Sequence, residues 1–137
     1  MKIYLHSGLM LLGFCLMLSG FAAARFLRAR RNWLRIHRTL GTAGASSILL
    51  GFIAAFLMIA LFGGKHFAVF HSLLGISAVM MSVLTPVLGQ LQFTLKSRAK
   101  VIRTWHRRSG AITLVLIALA IISGIMRAGI LPVNLHF

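Results

Sequence analysis

Four histidines in this chain have the type and spacing to do chemistry. His6, His37, His71 and His106 recur at intervals of 31, 34 and 35 residues, each near the start of a long apolar stretch. An ionisable side chain inside a membrane span is costly and marks a site by default. Neutral imidazole is also the commonest metal ligand. One histidine per span therefore points to metal ligation. Successive spans run in opposite directions, so His6 and His71 fall near one membrane face and His37 and His106 near the other. The four sort into two pairs, each too far from the other to share one metal. Structural zinc, which gathers four ligands around one centre, does not suit that arrangement.

The elements that must position these residues follow from hydropathy. A membrane span needs about 20 predominantly apolar residues. Four such runs are present, at 3–24, 40–62, 67–95 and 109–130, in a chain of 137 residues that is 59% hydrophobic with a mean hydropathy of +0.95. With their short connections they use nearly the whole sequence. The expected fold is all-α: a single domain over 1–137 forming an antiparallel bundle of four transmembrane helices. The first run has features of a secretory signal, with Lys2 before it and Ala22, Ala23 and Ala24 near its end. Its length and the arginines that follow it read instead as a stop-transfer pattern.

Composition removes many functions. The chain contains no Asp and no Glu. It therefore offers no carboxylate for general acid–base work, for a catalytic triad or for an Mg²⁺ or Ca²⁺ cage. Carriers that move protons through an intramembrane carboxylate are disfavoured too. No phosphate-binding glycine loop is present. Cys15 is the only cysteine and reads as an apolar packing residue. Pro86 interrupts the third run, where a kink or a tolerated membrane proline is expected.

The net charge of +15 comes from fifteen Lys and Arg. Arg25, Arg28, Arg30, Arg31, Arg35 and Arg38 lie between runs one and two. Lys96, Arg98, Lys100, Arg103, Arg107 and Arg108 lie between runs three and four. Both connections fall on one side, leaving Lys2, Lys65 and Arg127 for the other. By the positive-inside rule the basic side faces the cytoplasm and both termini lie on the non-cytoplasmic side. Topology and attraction to anionic membrane lipid account for these charges better than nucleic-acid binding does. Trp33, Trp105 and Tyr4 fall at the expected interfaces.

Glycines follow the histidines in register. Gly41, Gly75 and Gly110 stand at i+4 from His37, His71 and His106, on the same helix face. A second set comprises Gly20 and Gly51, at i+14 from His6 and His37, and Gly89 and Gly124, at i+18 from His71 and His106. Those offsets return nearly to the histidine face about 21–27 Å along the axis, at the depth of the opposite pair. Each glycine alone is explained by close helix packing. Together they leave room beside the histidines for a flat macrocycle, and the expected cofactor is a pair of haem groups. Arg35, Arg38, Arg103 and Arg107 flank His37 and His106, where some are expected to pair with haem propionates. His66 lies in the short turn before His71, a place for an interfacial residue or a proton relay, and His136 near the C-terminus is expected to be uninvolved.

These residues resemble the cytochrome b561 family of transmembrane di-haem electron carriers. The resemblance rests on His6, on Trp33-Leu34-Arg35-Ile36-His37, on His71-Ser72-Leu73-Leu74-Gly75 and on Trp105-His106-Arg107-Arg108-Ser109-Gly110. It implies that His6 and His71 ligate one haem iron and His37 and His106 the other. It further implies ascorbate or a quinol as donor, with a ferric species, an oxidised ascorbate radical or a soluble redox protein as acceptor. The chain departs from the family in having four spans where many members have six, and Ser7 where a proline often follows the first histidine.

The reading is transmembrane electron transfer in a multi-pass protein of a bacterial inner membrane, or of a plasma or organelle membrane. Two others stand beside it. One is a haem-carrying small subunit of a larger redox complex, with a homodimer as a further assembly. The other is a cofactor-free helical bundle for assembly or transport, in which the histidines are structural.

Overall fold

The structure, a computed structural model, describes residues 2–62 and 69–128. His66, His136 and Lys65 lie outside the described residues. Four long helices make up the fold: α1 Lys2–Phe26, α2 Trp33–Phe62, α3 Phe70–Thr94 and α4 Ala99–Arg127. A single 3₁₀ turn at Lys96–Arg98 joins α3 to α4. No strand occurs among the described residues, and all four helices are long and apolar enough to cross a membrane.

Two helices start well before the apolar runs do. Helix α2 begins at Trp33 rather than at residue 40, and α4 at Ala99 rather than at 109. Arg, Lys and Leu are good helix formers, so the hydrogen-bonded spiral does not stop where apolarity does. Their long side chains reach toward the interface while the backbone stays helical. Arg35, Arg38, Lys100, Arg103, Arg107 and Arg108 accordingly sit on helices, not in connections. His37 and His106 each have at least one helical turn ahead of them, which holds their side chains on a rigid backbone. Helix α3 continues through Pro86.

Buried positions trace one stripe per helix. They are Met10, Gly13, Met17, Gly20 and Ala23 on α1, and Gly44, Ala45, Ser47, Ile48 and Gly51 on α2. Helix α3 contributes Ala78, Val79, Ser82 and Thr85, and α4 contributes Ser109, Thr113, Ile117 and Ala120. The spacing of three or four is that of a helix packed on one face. Most of these residues are small, which suits a membrane bundle, where close van der Waals packing replaces the hydrophobic effect between helices. Leucine, phenylalanine and valine side chains dominate the exposed surface instead.

The helices associate as two tight pairs, α1 with α2 and α3 with α4, and the pairs meet along a looser seam. Gly13 and Gly44 set the first pair. A Cβ built on Gly44 would lie 2.9 Å from the Gly13 carbonyl oxygen and 2.9 Å from the Met17 nitrogen, so the two backbones touch. Hydroxyls set the second pair. Thr113 Oγ1 donates to the Ser109 carbonyl at 2.7 Å and lies 3.0 Å from Thr85 Oγ1, which is itself 3.1 Å from Ser109 Oγ. The diagonal helices, α1 with α3 and α2 with α4, do not touch through their backbones among the described residues.

Candidate functional site

The open diagonals are where the histidines meet. His6 of α1 faces His71 of α3 with ring centroids 6.4 Å apart and planes at 82°. His37 of α2 faces His106 of α4 at 5.8 Å and 78°. Helices whose backbones stay apart are thus bridged by imidazoles at two levels, one toward each end of the bundle. All four rings are half-buried.

Each ring is oriented through Nδ1. His6 Nδ1 lies 2.9 Å from the Gly51 carbonyl oxygen, His37 Nδ1 2.8 Å from that of Gly20, and His106 Nδ1 2.8 Å from that of Thr85. A carbonyl only accepts, so each Nδ1 carries the proton. His71 Nδ1 lies 3.0 Å from Ser123 Oγ, whose own proton goes to the Ala120 carbonyl at 3.0 Å. With its proton on that carbonyl, the hydroxyl oxygen is the acceptor for His71 Nδ1. In every neutral ring Nε2 is left with its lone pair, as a metal ligand requires. The chain has no carboxylate to orient these rings, and main-chain carbonyls and one hydroxyl do that work.

The separations leave room for axial ligation. A metal held between two imidazole nitrogens at about 2.0–2.1 Å from each would keep the two rings a few ångströms apart. The observed centroid separations of 6.4 and 5.8 Å leave such a space within each pair. Among the described residues no three metal-capable side chains come together. Each histidine has one other histidine facing it, and a pair of imidazoles suits a metal whose remaining ligands come from a macrocycle.

The glycines divide by what surrounds them. A Cβ on Gly41 or Gly75 would meet no heavy atom within 4 Å, and one on Gly110 only Thr85 Cγ2 at 3.6 Å. Open space therefore lies beside His37 and His71. The second set is packed. A Cβ on Gly89 would lie 3.0 Å from Cε1 of His106, and one on Gly124 3.0 Å from Cε1 of His71. On Gly20 it would lie 3.2 Å from the Gly41 nitrogen, and on Gly51 3.2 Å from Leu9 Cβ and Met10 Sδ. These four glycines let a neighbouring helix or imidazole come close. Side-chain space, nitrogen geometry and ring separation together fit haem at both pairs.

Around the basic end, Arg35, Arg38, Arg103 and Arg107 are exposed. Arg38 donates to Gln90 Oε1 at 2.8 Å and lies 5.7 Å from the centre of the Phe93 ring. Arg103 Nε donates to Gln92 Oε1 at 3.3 Å. Arg35 and Arg38, with Leu34, Thr39 and Thr42, line an open hollow of about 470 Å³ on the surface of α2. Sequence patterning passes over Gln90 and Gln92, and also Thr85 and Ser123. A signal for Thr85 exists, because it stands at i+14 from His71, the offset that marks Gly20 and Gly51.

The sequence profile of the family described as eukaryotic cytochrome b561 matches residues 5–131. No curated protein and no solved structure matches the chain. The profile spans all four apolar helices and both histidine pairs. The chain is an integral multi-pass membrane protein and belongs to the cytochrome b561 family, whose members bind haem b and carry electrons.

Proposed function

We propose that this protein carries single electrons across its membrane with two haem b groups, one held by His6 and His71 and the other by His37 and His106. The observation that carries the reading is the state of the four rings. Each has its Nδ1 proton engaged and its Nε2 free, and each faces a partner at a separation that leaves space for a metal between them. Held there by His6 and His71 and by His37 and His106, haem would supply a one-electron iron couple.

The rest of the work belongs to the chain. Nδ1 donation fixes ring orientation and raises the donor strength of Nε2. The Gly13–Gly44 crossing and the Thr85–Ser109–Thr113 hydroxyls hold each helix pair in register. Gly41, Gly75 and Gly110 keep the faces beside their histidines bare. The two levels are about 21 Å apart along the helices, from the i+14 offset at about 1.5 Å of rise per step.

The basic side, with Arg35, Arg38, Arg103 and Arg107, is the proposed entry side. It faces the cytoplasm in this reading, with both termini opposite. Propionate pairing would use part of this charge. The open hollow that Arg35 and Arg38 line lies on this side of the bundle. Its two arginines and two threonines suit an anionic hydroxylated donor such as ascorbate, while a quinol would approach from the lipid.

The test is haem counting on purified protein. A pyridine haemochrome assay is expected to give two haems per chain, with a low-spin reduced-minus-oxidised spectrum. His37→Ala is expected to retain the haem at His6 and His71 and lose the other. One haem or none in the wild-type protein overturns the reading.

A further inference from the structure

For three of the four paired histidines the near acceptor at Nδ1 is a main-chain carbonyl, and for the fourth, His71, it is a serine hydroxyl. The three acceptors, Gly20, Gly51 and Thr85, each stand at i+14 from the histidine of their own helix. The same offset from His106 on α4 falls on Ala120, whose carbonyl also faces His71. Ser123 competes with His71 for that carbonyl. Its oxygen takes the His71 Nδ1 proton at 3.0 Å, while its own proton occupies the Ala120 carbonyl at 3.0 Å.

An amide carbonyl accepts a hydrogen bond more strongly than an alcohol oxygen does. The stronger the acceptor at Nδ1, the more imidazolate character reaches Nε2, and the more the ligand favours the oxidised metal. Hydrogen bonding to an axial ligand is one of the means by which a protein sets haem potential. We propose that Ser123 is a positioning residue that acts through His71 to raise the reduction potential of the haem at His6 and His71 above that of the haem at His37 and His106. The inference rests on the two-haem reading. It makes the end of the bundle remote from the basic side the favoured place for the electron.

Optical redox titration of the purified haem-loaded protein tests it, with His37→Ala used to assign the component of the His6–His71 pair. In wild type this component is expected to be the higher of two. Ser123→Ala frees the Ala120 carbonyl to accept from His71 and is expected to lower this component alone. Ser123→Thr keeps the hydroxyl and is expected to restore it. An unchanged or raised midpoint in Ser123→Ala overturns the proposal. So does an equal shift of both components, a threonine variant that behaves like alanine, or loss of the haem at His6 and His71 from Ser123→Ala. Fewer than two haems in wild type is a different result and fails the two-haem reading itself.

Discussion

His37 on α2 donates its Nδ1 proton to the carbonyl of Gly20 on α1 at 2.8 Å, and His6 on α1 returns the bond to Gly51 on α2 at 2.9 Å. Each acceptor stands at i+14 from the histidine of its own helix. The two bonds therefore clasp the helix pair at points about 21 Å apart. Between them Gly13 meets Gly44 backbone to backbone. A slip of one helix past the other by a single residue, about 1.5 Å, would spoil both bonds and turn both rings. Ligand orientation at each end of the bundle thus depends on packing at its middle.

Two glycine substitutions separate packing from cofactor space. A Cβ on Gly44 would fall 2.5 Å from Met17 Cγ and 2.9 Å from backbone atoms that cannot move alone. Gly44→Ala is expected to cost about 1–3 kcal/mol, the usual range for overpacking, and to lower haem content at both pairs. A Cβ on Gly75 would meet nothing within 4 Å, so Gly75→Leu is expected to leave the helical fold intact while displacing the haem at His6 and His71. Circular dichroism and the haemochrome assay read the two effects separately. Full haem occupancy in Gly75→Leu would show that this space serves nothing bound.

Sidedness is the next expectation, and it follows from the distribution of cations. Twelve of the fifteen lie toward one end of the bundle, on the 25–38 and 96–108 segments. In a Cys15→Ala background, Ser97→Cys is expected to be shielded from an impermeant thiol reagent added outside intact cells. Asn134→Cys, which lies beyond the described residues, is expected to react. The reverse pattern would invert the assignment of sides and leave the histidine pairing untouched.

What is legible in the sequence divides along a physical line. Helix number, the diagonal pairing of histidines and the bare faces at Gly41 and Gly75 all follow from hydropathy and helical periodicity, and those signals are written in side chains. The starts of α2 at Trp33 and α4 at Ala99 escape it, because hydropathy reports the apolar core and not the basic helical turns that extend beyond it. The acceptors for His6, His37 and His106 are main-chain carbonyls, which every residue carries. No residue type announces them, and only the shared i+14 offset does. Ser123 is a side-chain acceptor, but a serine one position before Gly124 reads as a packing residue until His71 is seen against it.

Charge at the basic end leads to the last expectation. Arg38 and Arg103 are tethered to Gln90 and Gln92, and Arg35 and Arg38 line an open hollow on α2. The chain has no acidic residue to neutralise them, so a positive field persists over the entry side even after some arginines pair with propionates. Such a field concentrates small anions and speeds their encounter. Screening weakens it, because the Debye length falls from about 10 Å at 0.1 M salt to about 3 Å at 1 M. Stopped-flow reduction by ascorbate is therefore expected to slow as salt rises. At low salt Arg35→Gln and Arg107→Gln are each expected to slow it severalfold, and the salt dependence of each variant is expected to be shallower than that of wild type. Reduction by a neutral quinol is expected to respond to neither salt nor charge. If ascorbate reduction ignores both, while a quinol reduces the protein quickly, the electrons enter from the lipid and the arginines serve topology and lipid contact alone.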